Sequence, residues 1–151
     1  MMIADESCSS VVIAELKWIR KTTRPVEIID RDADVLKGIG QLKQIREFLN
    51  ESPLHLKSQG RLPRPLGEYE HVSYLLIARD HWLWVEPTGD LAIVEFEAFS
   101  GAVSRSTDLR SAVGDLLTYE WLPIEGRDFR IQYDRATANG VSVESEVYYP
   151  V

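Results

Sequence analysis

Residues 11–19 read VVIAELKWI, and their reading decides the fold. The run is apolar and mostly β-branched, with charge only at Glu15 and Lys17. That predicts a strand buried on both faces. Side chains alternate along a strand, so 11, 13, 15 and 17 share one face and 12, 14, 16 and 18 the other. Glu15 and Lys17 are then neighbours on one face. Two opposite charges in an apolar strand are costly unless paired or bound to an ion.

Downstream, KTTRP closes on Pro25, and VEIID (26–30) reads as a short strand or extended arm. DADVLKGIGQLKQIREFLN (32–50) reads as the clearest helix, with Val35, Ile39, Leu42, Ile45 and Leu49 at helical spacing. Asp32 or Asp34 can cap it, and Asn50, Ser52 and Pro53 end it. Gly38 and Gly40 lie inside and cost about 1 kcal/mol each relative to alanine, which points to close packing on another element. Residues 53–70 read as a long loop with three prolines (53, 63, 65), basic at Lys57, Arg61 and Arg64. HVSYLLIAR (71–79) predicts a second buried strand. HWLWVEP and LAIVEFEAF are strand-like, turning at Thr88-Gly89-Asp90. Ser106, Thr107 or Asp108 caps a second helix over about 108–121, closed by Pro123 and Gly126. FRIQYDRA and VSVESEVYY, joined by Ala138-Asn139-Gly140, predict a terminal hairpin. The order implies an α/β protein, bordering on α+β, with a mixed sheet.

At 151 residues, with 44% apolar and 27% charged, the chain fits one domain, 1–151. It has no membrane-length apolar run, its first twenty residues, with Asp5, Glu6 and Glu15, do not read as a secretory leader, and its one cysteine, Cys8, permits no internal disulfide; a cytoplasmic setting is expected. The net charge of −7 excludes a general nucleic-acid coat. The charge is uneven: residues 1–64 carry 11 Lys/Arg against 9 Asp/Glu, and residues 65–151 carry 6 against 15. A polyanion site is expected in the first part.

Asp5 lies ten residues before Glu15, beyond the turn-like ESCSS. A hairpin there would bring the two carboxylates together, with Lys17 to orient or activate water and Mg²⁺ (or Mn²⁺) held by Asp5 and Glu15. Lys17, Arg20, Lys21 and Arg24 form a basic run able to meet phosphates without reading sequence. His55, His71 and His81 lack metal spacing, and Glu95 and Glu97 share a face with no accompanying lysine. Trp82 and Trp84 read as core more than as a binding platform.

An upstream Asp, Glu15-Leu16-Lys17 on a buried strand, and Gly40-Gln41-Leu42 on the next helix together resemble the PD-(D/E)XK superfamily of restriction-endonuclease-like nucleases, over about residues 3–80. The resemblance implies a restriction-endonuclease-like mixed sheet flanked by helices. It implies Mg²⁺-dependent hydrolysis of DNA by Asp5, Glu15, Lys17 and Gln41, with phosphate contacts from Arg20, Lys21 and Arg24. The family core begins with a helix and strand ahead of the acidic position. This chain is therefore expected to be the C-terminal part of a longer protein, or else a degenerate or permuted relative, inactive or weak alone and able to pair as a homodimer through an open sheet edge. The C-terminal hairpin would be an elaboration. The competing reading is a small acidic immunity or antitoxin-type protein. In it the acidic part would steer toward a basic toxin, and Trp82, Trp84 or Trp121 would anchor the complex.

Overall fold

The computed structural model describes residues 1–18, 25–79, 91–122, 125–138 and 141–150. These fall into two units, 1–118 and 119–151. In the first, β1 (Met2–Asp5) and β2 (Ser10–Trp18) form an antiparallel hairpin, with Met2 opposite Ile13 and Asp5 opposite Ser10. Helix α1 (Pro25–Glu51) then crosses over to β3 (His71–Arg79), which runs parallel to β2 with Ser10 opposite His71 and Lys17 opposite Ala78. A parallel pair needs such a crossover, because a tight turn can only reverse the chain. β4 (Leu91–Glu95) lies parallel to β3, giving the strand order β1-β2-β3-β4. This is a mixed α/β sheet with β2 and β3 as its two inner strands, as the two-sided apolar character of 11–18 and 71–79 predicts.

Strand parity sorts the core. Val11, Ile13, Tyr74, Leu76, Ala78, Leu91 and Ile93 pack with Val35, Ile39, Leu42 and Leu49 of α1. Ile45, expected in the same stripe, is instead 37% exposed. The alternate residues Val12, Ala14, Leu75, Ile77, Ala92 and Val94 are buried too. Against the sheet lie α3 (Phe96–Arg105), beside β3 and β4, and α4 (Leu109–Leu117), beside β2, which bury Phe99, Ala102, Ala112, Val113 and Leu116.

Three expectations need correction. VEIID is not extended: α1 begins at Pro25 and runs through it. Proline is favoured at the first helical position, and a helix once nucleated extends through β-branched residues whose propensity cost is small. LAIVEFEAF is a strand only to Glu95, whose carboxylate accepts hydrogen bonds from the Glu97 and Ala98 amides and so starts α3. The second predicted helix is capped by Asp108, as expected, but stops at Leu117, because Tyr119 turns left-handed with φ 57°.

The segment 53–70 holds a short helix α2 (His55–Ser58) and a 3₁₀ turn at Leu66–Glu68. Leu62, Leu66 and Tyr69 from it enter the core. The second unit is the expected hairpin, β5 (Phe129–Ala138) antiparallel to β6 (Val141–Pro150). Its turn residues Asn139 and Gly140, the 81–87 segment and the Thr88-Gly89-Asp90 turn lie outside the described residues. Among the described residues no helix is long and apolar enough to cross a membrane.

Candidate functional site

Because β2, β3 and β4 run parallel, their carboxyl ends lie together. In open α/β sheets that edge is where ligands bind. Glu15 and Lys17 stand there on the face covered by α1, at the point where the apolar run of β2 ends. The Lys17 Nζ lies 3.1 Å from Glu15 Oε1 and donates to Gln41 Oε1 at 2.8 Å. The lysine side chain is 18% exposed and that of Glu15 27%, so the group is held by protein and still reached by solvent. Gln41 comes from α1, one turn beyond Gly38. A Cβ at Gly38 would lie 2.8 Å from Lys17 Cε. The close approach expected of the helical glycines therefore exists at Gly38. It does not at Gly40, where a Cβ would have no neighbour within 4 Å.

Asp5 is not part of this group. Hairpin register places it opposite Ser10, five residues from Glu15, so about 17 Å of strand separates the two positions. Its Oδ1 accepts from the Ser7 amide and hydroxyl, and its Oδ2 accepts from the Leu109 amide at the start of α4. These bonds, the Ser7 hydroxyl's first, hold the carboxyl at a pKa of about 2. Strand alternation puts Asp5 on the hairpin but does not set its distance along it. The expected Asp5–Glu15 cation pair is thus not formed. Among the described residues no three His, Cys, Asp or Glu side chains gather as a metal would require. Arg20, Lys21 and Arg24 lie outside the described residues.

Glu95, which has no lysine near it in the sequence, has one across the sheet. Glu95 is opposite Ala78, which is opposite Lys17, so Glu95 and Lys17 occupy one row across three strands, about 10 Å apart. The sequence holds no signal for this, since the alignment of β2 with β4 depends on two parallel pairings. Burial raises the Glu95 pKa, and its hydrogen bond with Glu97 adds to the shift. The same bond lowers that of Glu97.

At the other end of the sheet, a second charged group surrounds the β1–β2 turn. Arg64 Nε lies 3.2 Å from Glu6 Oε2, and Arg64 Nη2 donates to Ser9 Oγ at 2.9 Å. The guanidinium sits 4.2 Å over the Tyr69 ring, and the Tyr69 hydroxyl donates to Glu6 Oε1. Ser9, with φ 52°, receives the Glu70 amide on its hydroxyl oxygen and the Glu70 and His71 amides on its carbonyl. Arg64, expected as part of a basic loop, is thus committed to the turn.

No family model, no curated protein and no solved structure matches the chain.

Proposed function

We propose that the chain is a nuclease-like domain of the restriction-endonuclease-like class, which engages DNA phosphodiesters at the carboxyl end of β2 and whose described residues do not form a complete cation site. The observation that carries this reading is the clasp of Lys17 between Glu15 and Gln41. A Glu-x-Lys pair on a buried strand, met by a glutamine from the following helix, is the arrangement the resemblance asks for. The order β2, α1, β3 supports it as well.

An ammonium has three donors and no acceptor. Among the described residues Glu15 and Gln41 take two, and the third is available to a phosphate oxygen or an attacking water. In a partly dry edge such a fixed positive charge stabilises the charge that develops on phosphate. In this reading the Glu15 carboxylate accepts a proton from that water. Arg20, Lys21 and Arg24 follow β2 closely in the chain and supply backbone contacts that position DNA without reading it.

The Mg²⁺ or Mn²⁺ implied by the resemblance needs a second carboxylate beside Glu15. Asp5 is committed to the hairpin turn and α4, so among the described residues the donor set does not fit the ion, and no step is assigned to it.

Anisotropy of a labelled DNA duplex at low salt tests the reading. The wild-type chain should bind, and Lys17→Ala should weaken binding about tenfold and flatten the salt slope by about one unit. Plasmid cleavage with Mg²⁺ or Mn²⁺ should be slow or nil. Equal affinity of wild type and Lys17→Ala, or no affinity in either, overturns the proposal. Tight binding to a basic toxin instead would favour the acidic-inhibitor reading.

A further inference from the structure

We infer that Gly38 is a positioning residue for Lys17: its missing side chain leaves the notch through which the lysine stem passes to reach Gln41. Gly38 is buried inside α1, where glycine weakens a helix relative to alanine, and its backbone is not in the left-handed region. Neither helix geometry nor a turn therefore explains the glycine. Its neighbours do. A Cβ there would lie 2.8 Å from Lys17 Cε, 3.4 Å from Lys17 Cγ and 2.8 Å from Leu76 Cδ1. Contacts under 3.0 Å force something to move. Leu76 is 2% exposed in the core and has little room. Lys17 is fixed at its tip by Glu15 and Gln41, so moving its stem pulls the amine from one or both.

The consequence is preorganisation. A free lysine loses much rotamer freedom when its amine binds a ligand, and here the fold has already fixed that freedom. What the amine then does rests on the DNA reading above; where it is held does not.

The experiment compares wild type with Gly38→Ala, Gly40→Ala, Leu76→Val, and Gly38→Ala combined with Leu76→Val. The last variant removes the blocking core methyl and leaves only the conflict with Lys17. The first readout is the rate at which a limiting acetylating ester modifies Lys17, measured by peptide mass spectrometry against the other four lysines. Lys17 should react severalfold faster in both variants carrying Gly38→Ala, and at the wild-type rate in Gly40→Ala and Leu76→Val. The second readout is DNA affinity, which should fall to the Lys17→Ala level in the combined variant while its thermal unfolding stays near that of Leu76→Val. Wild-type Lys17 reactivity in the combined variant overturns the inference. Absence of DNA binding in every protein removes the DNA reading alone, because the acetylation rates still decide where Gly38 holds the amine.

Discussion

At the amino end of β2, Glu6, Arg64, Tyr69 and Ser9 bond to one another, and the network ends on backbone: Ser9 receives the Glu70 and His71 amides, and neighbouring Asp5 receives those of Ser7 and Leu109. At the carboxyl end, Glu15, Lys17 and Gln41 bond side chain to side chain. Both groups pair a carboxylate with a cation, yet they differ in what they satisfy. Backbone amides in a turn need partners wherever water is excluded, so the first network is explained by the turn it holds. The second closes no turn and caps no helix. It holds a charge at a sheet edge. Where a polar cluster ends on main chain it reads as structure, and where it ends on solvent-reachable side chains it reads as a site.

That contrast can be broken most easily at Arg64. Arg64→Ala removes the cation paired with Glu6, the donor to Ser9 Oγ and the cation over Tyr69 together. It should cost about 1–2 kcal/mol of unfolding free energy, read as a lowered urea midpoint at constant slope. DNA affinity should stay within about twofold of wild type. A larger loss of binding than of stability would make the amino end part of the site.

Gln41→Leu sharpens the other side. It removes one partly exposed hydrogen bond and should change stability by less than about 1 kcal/mol, in the same urea titration. It should lower DNA affinity severalfold by freeing the Lys17 amine. A stability loss exceeding that of Arg64→Ala would place the clasp among the structural contacts.

The smallest effect is a pH dependence. The Asp5 carboxyl is held at about 2 in the fold, below its ordinary 3.8. A depressed carboxylate pKa means stability that is present above about pH 4 and lost as pH falls toward 2. Asp5→Asn should flatten acid unfolding in that window, followed by circular dichroism. Some slope should remain, since Asp108 is also lowered, chiefly by the Ser111 amide. An unchanged acid midpoint in Asp5→Asn would detach Asp5 from the amino-end network.

Parity and periodicity made the inner strands, the α1 stripe and the Glu15–Lys17 neighbourhood legible. Gly38 could be suspected of close packing, because glycine inside a helix needs a reason. Asp5 was misplaced for a different cause. Alternation fixes which face a residue occupies, whereas position along the partner strand is fixed by turn length, and ESCSS brings Asp5 to Ser10. Helix α3 was hidden because a fully buried strand and a buried helix both read as an apolar run, and glutamate is an uncommon cap. The row of Lys17, Ala78 and Glu95 requires three strands to be aligned, which no local pattern encodes.

The bond from the Leu109 amide to Asp5 joins residues 104 apart in the chain. A ribosome adding about 5–20 residues per second needs roughly 5–20 s to travel that far, whereas a β-hairpin closes in about 1–10 μs. β1 and β2 therefore leave the ribosome seconds before the helix that ties Asp5 to the rest of their unit, and because two strands alone are marginal in water, this hairpin is secured only once α4 has emerged.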